Sequence, residues 1–260
     1  MRKNKVQPAH KSYFFGQGYK DIGTAIKTSW LKNAQTAKAY YDKYSEKGLG
    51  DIIDRGPHGM KILKDMMMRT NVYPILGNHE YMAITAIPWL MQEITEETVE
   101  KIDPEMIQGL IEWMNVGGSS SIIEFRGLSR DEQEAILDYL SEFELYDVVE
   151  AGDKEYVLVH AGLDNFVQER SLSDYDLSEM LFHQPDYEIK YFKDKYLVTG
   201  HTPTRVAYAA EHGVLLEELT SEEYQDVIFK KNNHIAIDCG ASFGGKLGCI
   251  CLDTLEEYYV

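Results

Sequence analysis

Short apolar runs alternate with amphipathic stretches along most of this chain. Pro57 to Arg69 places Met60, Leu63, Lys64 and Met67 at spacings of three and four, which predicts a helix. Val72-Tyr73-Pro74-Ile75-Leu76 reads as a strand that breaks at Gly77. Residues 82–150 read as predominantly helical. Asp103-Pro104 is an N-cap with proline in the first turn, and Met106, Ile107, Leu110, Ile111 and Met114 share the following face. Ser129-Arg130-Asp131-Glu132 is a capping box ahead of Ile136, Leu137 and Leu140. Strands are predicted at Glu155–Val159, Tyr196–Thr199, His234–Asp238, Lys246–Leu252 and Glu256–Val260. The order gives one mixed α/β (α+β) domain with a helical insertion and no internal repeats.

The first 48 residues do not share this rhythm. Tyr13-Phe14-Phe15 is their one strand candidate, and Thr24 to Lys47 suits a polar helix rich in Ala, Lys and Tyr. The net charge of −17 hides the same division. Residues 1–48 carry ten basic and three acidic side chains, a net +7, which leaves −24 on residues 49–260. The expected organisation is therefore an atypical basic segment, 1–48, ahead of a domain spanning 49–260.

A chain of 260 residues buries a sizeable core. Its acidity disfavours non-specific nucleic-acid binding, since a polyanion is repelled over most of the surface. No run of 18 apolar residues exists, so no membrane span is expected. The basic start Met1–Lys5 has no apolar stretch behind it and does not read as a secretory signal. Cys239, Cys249 and Cys251 are too few and too clustered for a disulfide framework, which points to a reducing, cytoplasmic setting.

Polar clusters recur directly after apolar runs. Gly50-Asp51-Ile52-Ile53-Asp54-Arg55-Gly56 follows Leu49, and Gly77-Asn78-His79-Glu80 follows Leu76. His160-Ala161-Gly162 follows Val159, and Gly200-His201-Thr202-Pro203 follows Thr199. In open α/β sheets, ligands sit beyond the carboxyl ends of strands, so four such ends could converge on one point. Asp51, Asn78, His160 and His201 would offer two oxygens and two imidazoles, a shell suited to manganese, iron or zinc. Arg55 could present its planar fork to a phosphate. His79 could donate a proton to a leaving oxygen, with Asp54 holding its imidazole oriented. Metal, arginine and general acid together are the equipment of metal-assisted phosphoester hydrolysis. Singly, each has a plainer reading: a turn at Gly-Asn-His, a half-buried strand-end histidine, an Asp51–Arg55 ion pair at the start of a helix.

These four clusters, in this order, resemble the successive signatures of the calcineurin-like metallophosphoesterases, and more narrowly the bacterial and bacteriophage branch of the serine/threonine protein phosphatases. Trp113-Met114-Asn115-Val116-Gly117-Gly118 and Ile237-Asp238-Cys239-Gly240-Ala241-Ser242-Phe243-Gly244-Gly245 are similar to that branch as well. The resemblance runs from about residue 48 to the C-terminus. It implies a β-sandwich flanked by helices and holding two divalent metal ions. Asp51 would bridge them, with Asn78, His160 and His201 completing one shell. His79 would be the general acid partnered by Asp54, and Arg55 would grip the phosphate. The expected activity is a metal-dependent phosphomonoesterase acting on phosphoserine or phosphothreonine. Hydrolysis of dinucleoside tetraphosphates or small phosphoesters is the nearest alternative.

Two departures from the family pattern are visible. No Asp-x-His precedes Asp51; Asp21-Ile22-Gly23 has glycine at the histidine position, Gly16-Gln17-Gly18-Tyr19 offers no ligand, and His10 is the segment's one histidine. Leu181-Phe182-His183-Gln184 also lacks the arginine that the family places after an aromatic residue. A pseudophosphatase that holds one metal or none is therefore the rival expectation. The missing motif coincides with the charge break, which points to residues 1–48 having a separate origin, such as a shifted reading frame or a misassigned start. Cys249-Ile250-Cys251 is expected to pack in the core, Met66-Met67-Met68 to form helix core with one exposed member, and Glu217-Glu218 with Glu222-Glu223 to be solvated.

Overall fold

The computed structural model describes residues 12–15, 45–93, 95–96, 103–220 and 223–260. Its frame is two five-stranded mixed sheets. The first contains β1 (Ser12–Phe15), β2 (Ser45–Gly48), β3 (Val72–Pro74), β9 (Gly248–Cys251) and β10 (Glu257–Tyr259), in the order β10-β9-β1-β2-β3. The second contains β4 (Tyr146–Ala151), β5 (Lys154–Val159), β6 (Lys195–Thr199), β7 (Phe229–Lys231) and β8 (His234–Ala236), in the order β4-β5-β6-β8-β7.

In each sheet three neighbouring strands run parallel: β1, β2 and β3 in one, β5, β6 and β8 in the other. Antiparallel strands close the flanks. Along β5, Tyr156 and Leu158 join a core that includes Ile250 and Leu252 from the first sheet's side. Val157 and Val159 point the other way, into a cluster with Leu163, Met180 and Tyr191. Burial on both faces explains why this strand reads as a continuous apolar run.

The helical insertion follows β3. It comprises α2 (Asn78–Leu90), α3 (Pro104–Trp113), α4 (Ser119–Arg126) and α5 (Arg130–Ser141), packed with α1 (Gly59–Met67) around Leu63, Ile87, Trp113, Phe125 and Leu140. Both expected caps form. The Asp103 carboxylate accepts from Glu105 N at 2.9 Å, and the Glu132 carboxylate accepts from Ser129 N at 2.9 Å. Short helices α6 (Leu177–Leu181) and α7 (Thr204–His212) follow β5 and β6.

The mixed α/β sandwich with a helical insertion is as expected; several boundaries are not. Ser45–Gly48 is a strand rather than the end of a helix, because hydrogen bonding to β1 and β3 on either side overrides the helix-favouring composition. The rest of the helix expected over Thr24–Lys47, together with His10, Gly16–Tyr19 and Asp21, lies outside the described residues. Tyr146–Ala151 is a strand, not a continuation of helix, with Gly152 at φ +59° turning it onto β5. β7 was missed; Asn232 and Asn233, both left-handed at φ +52° and +61°, make its two-residue hairpin to β8. Met66 and Met67 pack against the insertion core while Met68 is 84% exposed. All three cysteines are free and buried. No described helix is long and apolar enough to cross a membrane.

Candidate active site

The parallel strands of both sheets end at the same edge of the sandwich. Asp51 lies three residues past β2, Asn78 four past β3, and His160 and His201 one and two past β5 and β6. The two sheets touch there: His160 Nδ1 donates to Leu49 O at 2.5 Å. That bond fixes the tautomer and leaves the Nε2 lone pair facing inward. His160 Nε2 stands 3.0 Å from Asn78 Oδ1, 3.1 Å from His201 Nδ1 and 3.3 Å from Asp51 Oδ1. His201 Nδ1 is 3.1 Å from Asn78 Oδ1. All four predicted ligands therefore meet.

The loops that deliver them are strained. Gly50, Asp51, Asp54, Arg55 and His201 have φ of +81°, +53°, +74°, +59° and +61°, so four non-glycine residues of the site sit in the left-handed region. Glu80 holds the first loop. Its fully buried carboxylate accepts from the backbone N–H groups of Asp51 at 2.7 Å, Ile52 at 2.7 Å, Ile53 at 3.1 Å and Gly77 at 3.1 Å. In the sequence Glu80 stands only as the last residue of Gly77-Asn78-His79-Glu80, with no chemistry of its own assigned to it. Its place three residues after a glycine N-cap was the available signal. Gly50 and Gly77 pass so closely that a Cβ on Gly50 would lie 2.5 Å from Gly77 Cα.

Beside these four lies a second group. His79 Nδ1 donates to Asp54 Oδ2 at 2.5 Å, and its Nε2 faces Arg55 Nη2 at 3.1 Å and Asp51 Oδ2 at 3.8 Å. A guanidinium has no acceptor, so His79 Nε2 accepts there. Arg55 does not pair with Asp51. It donates from Nε to Val116 O at 3.1 Å and from Nη1 to Ser242 Oγ at 3.1 Å, with the Phe243 ring 5.2 Å away. The insertion also grips Asp54: Trp113 Nε1 donates to Asp54 Oδ2 at 2.7 Å, and Ser121 Oγ accepts from Asp54 N at 2.9 Å. His183 Nδ1 is 3.3 Å from Asp164 Oδ1, and its ring lies against Gly162, two residues past His160.

Electrostatics separates the two groups. Burial pushes His160 down, and burial with the neighbouring His160 pushes His201 down to about 4. Both are neutral, lone-pair-bearing imidazoles at neutral pH. For His79 burial works downward, but the Asp51 charge and the bond to Asp54 outweigh it and the net shift is upward. Burial raises Asp238, the strand-end carboxyl after β8, to about 7.

The donor set fits a divalent cation. Ligand atoms of Asp51, His160 and His201 all lie within 4.8 Å of one another, and Asp51 Oδ2 is buried with no hydrogen-bond partner among the described residues. Two imidazole lone pairs, an amide oxygen and a carboxylate packed this tightly repel one another unless a cation is shared between them.

The sequence pattern of the calcineurin-like phosphoesterases matches residues 48–229. The chain belongs to that family. Calcineurin-like phosphoesterases bind divalent metals, in keeping with the Asp51–His160–His201 cluster. The fold of this phosphoesterase is shared by distant solved structures. A protein provisionally named a diadenosine tetraphosphatase matches at TM-score 0.56 and 13% identity, over 97% of this chain and 94% of that one. A serine/threonine phosphatase of Saccharomyces cerevisiae, with similarity to human phosphatase PP5, matches at TM-score 0.52 and 12% identity, over 93% and 72%. A cold-active protein tyrosine phosphatase matches at TM-score 0.50 and 14% identity, over 96% and 78%. No curated protein sequence matches the chain.

Proposed function

We propose that this calcineurin-like phosphoesterase is a phosphomonoesterase of the bacterial and bacteriophage serine/threonine protein phosphatase branch, acting on phosphoserine or phosphothreonine. The observation that carries the reading is the His79–Asp54 pair, joined by Arg55 and set against four convergent metal donors. Asp51, Asn78, His160 and His201 would hold the ion, with manganese, iron or zinc compatible with two nitrogens and two oxygens. Bound there, it supplies a Lewis acid for a phosphoryl oxygen and an activated water. The chain's own residues do the rest. Arg55 leaves His79 and turns its fork onto the phosphate, still anchored at Val116 and Ser242. His79 Nε2, freed of that contact, takes up a proton from water and hands it to the leaving alkoxide. Asp54 keeps the ring aligned and balances the charge of the imidazolium.

The family's second ion would draw on an Asp-x-His motif that this sequence lacks ahead of Asp51. We assign the phosphoesterase domain to residues 49–260, with 1–48 as an atypical basic segment that lends β1 and β2 to the first sheet, and place the protein in a reducing cytoplasm in view of its three free thiols. Metal content per chain, together with hydrolysis of an aryl phosphate and a phosphoserine peptide in added manganese, tests the reading. Turnover of both, abolished in His79→Ala, supports it. Faster cleavage of a dinucleoside tetraphosphate moves the assignment to that substrate. Bound metal with no turnover of any phosphoester makes the protein a pseudophosphatase.

A further inference from the structure

One contact in the site has no part in that scheme. The indole of Trp113 is completely buried and directs Nε1–H at Asp54 Oδ2, the same oxygen that receives His79 Nδ1. Asp54 Oδ1 is buried with no hydrogen-bond partner among the described residues. A carboxylate held through one oxygen by His79 alone could rotate and offer the histidine its other oxygen in a different place. A second donor on Oδ2 blocks that rotation. We propose that Trp113 is a positioning residue for the general acid, locking the Asp54 carboxylate so that His79 Nε2 faces the leaving oxygen. The proposal rests on the phosphomonoesterase reading.

The backbone is arranged to permit this contact. Trp113 ends α3, and the chain then opens into the wide turn Met114–Gly118 before α4 begins. Gly117 in that turn has φ +117°, a conformation that suits glycine. Gly118 lies against the indole so closely that a Cβ there would be 2.5 Å from Nε1. One turn further on, Ser121 takes the Asp54 N–H and so holds the left-handed backbone at that residue. The influence of Trp113 runs through Asp54.

A buried tryptophan also fills space, so the test must separate orientation from packing. Trp113→Phe keeps an aromatic ring and removes the donor. The proton supplied by His79 matters for phenyl phosphate, whose leaving phenoxide is basic, and hardly at all for 2,4-dinitrophenyl phosphate. With metal bound, the variant should lose about 10- to 100-fold on phenyl phosphate, within the range of general-acid catalysis, and less than about 3-fold on the dinitrophenyl ester. Equal losses on both esters, or no loss on either, overturn the proposal. A second readout needs neither turnover nor a folded Trp113 variant. Of the three tryptophans, replacing Trp30 and Trp89 leaves the Trp113 indole proton as the one NMR signal of its kind. It should exchange slowly with solvent and shift in Asp54→Asn. Fast exchange, or no response to Asp54→Asn, overturns the proposal. If the wild type hydrolyses neither ester, the phosphomonoesterase reading fails, and the indole signal alone decides whether Trp113 holds Asp54.

Discussion

The metal-donor cluster and the His79–Asp54–Arg55 group lie side by side but are stabilised in opposite ways. The cluster gathers Asp51, Asn78, His160 and His201 from the strand ends of two sheets and crowds acceptors together, leaving Asp51 Oδ2 unsatisfied among the described residues. The His79 group is supplied with partners: Trp113 and Ser121 for Asp54, Val116 O and Ser242 for Arg55. One region is left short of partners around Asp51; the other, apart from Asp54 Oδ1, is partnered by the chain itself, mostly by the insertion. Folding alone therefore places His79 and Arg55, whereas the cluster is one that a bound cation would complete.

That contrast can be broken at several points. His79→Ala should have the largest effect, lowering kcat on phenyl phosphate about 10²- to 10⁴-fold while metal content per chain stays the same. Loss of metal in this variant would show that the two regions are not separable. Glu80→Ala should come next, and it should damage stability rather than chemistry alone. It strips the acceptor from the N–H groups of Asp51, Ile52 and Ile53, at roughly 1–3 kcal/mol for each that stays buried and unpaired. Urea denaturation measures this, and a loss below about 1 kcal/mol would mean that water replaces the carboxylate.

Cation binding should stabilise the fold by roughly 3 kcal/mol at a hundredfold excess over Kd, seen as a rise in Tm on adding manganese to chelator-treated protein. Asp51→Asn should reduce that rise sharply. An unchanged rise would place the ion elsewhere.

The smallest effect concerns Glu46, on β2 and away from both regions. Burial, with Arg69 opposing it and Asp65 adding to it, raises its carboxyl from 4.5 to about 7. The folded state thus holds this proton more tightly than the unfolded chain. Glu46 contributes its full stability below about pH 4.5 and loses it as pH rises through 7, a change on the order of 1–3 kcal/mol. Glu46→Gln should flatten that part of the stability profile. A slope identical to the wild type would assign it to other groups.

Much of the site was legible in the chain because its residues come as local motifs at strand ends, each a few positions long. Asp51, Asn78, His79, His160 and His201 follow apolar runs, and the geometry of a sandwich does the converging. What escaped was whatever acts across long separations. Glu80 serves a loop 27 to 29 residues earlier, and Trp113 serves Asp54 from 59 residues later. Neither spacing leaves a periodic trace. The strand at Ser45–Gly48 escaped for a related reason. β1 and β3, each more than twenty residues away in the chain, define it, and its own composition does not.

The amino-acid sequence by itself determined the alternation of elements, the family, and which side chains stand at the strand ends, since all of these depend on neighbours within a few residues. Only the tertiary structure decided that Arg55 binds Ser242 and His79 instead of Asp51, that Glu80 braces the Asp51–Ile53 loop, and that the insertion holds Asp54 beside His79. Hydrogen bonds between groups remote in the chain exist only once two sheets and a helical layer have closed around them.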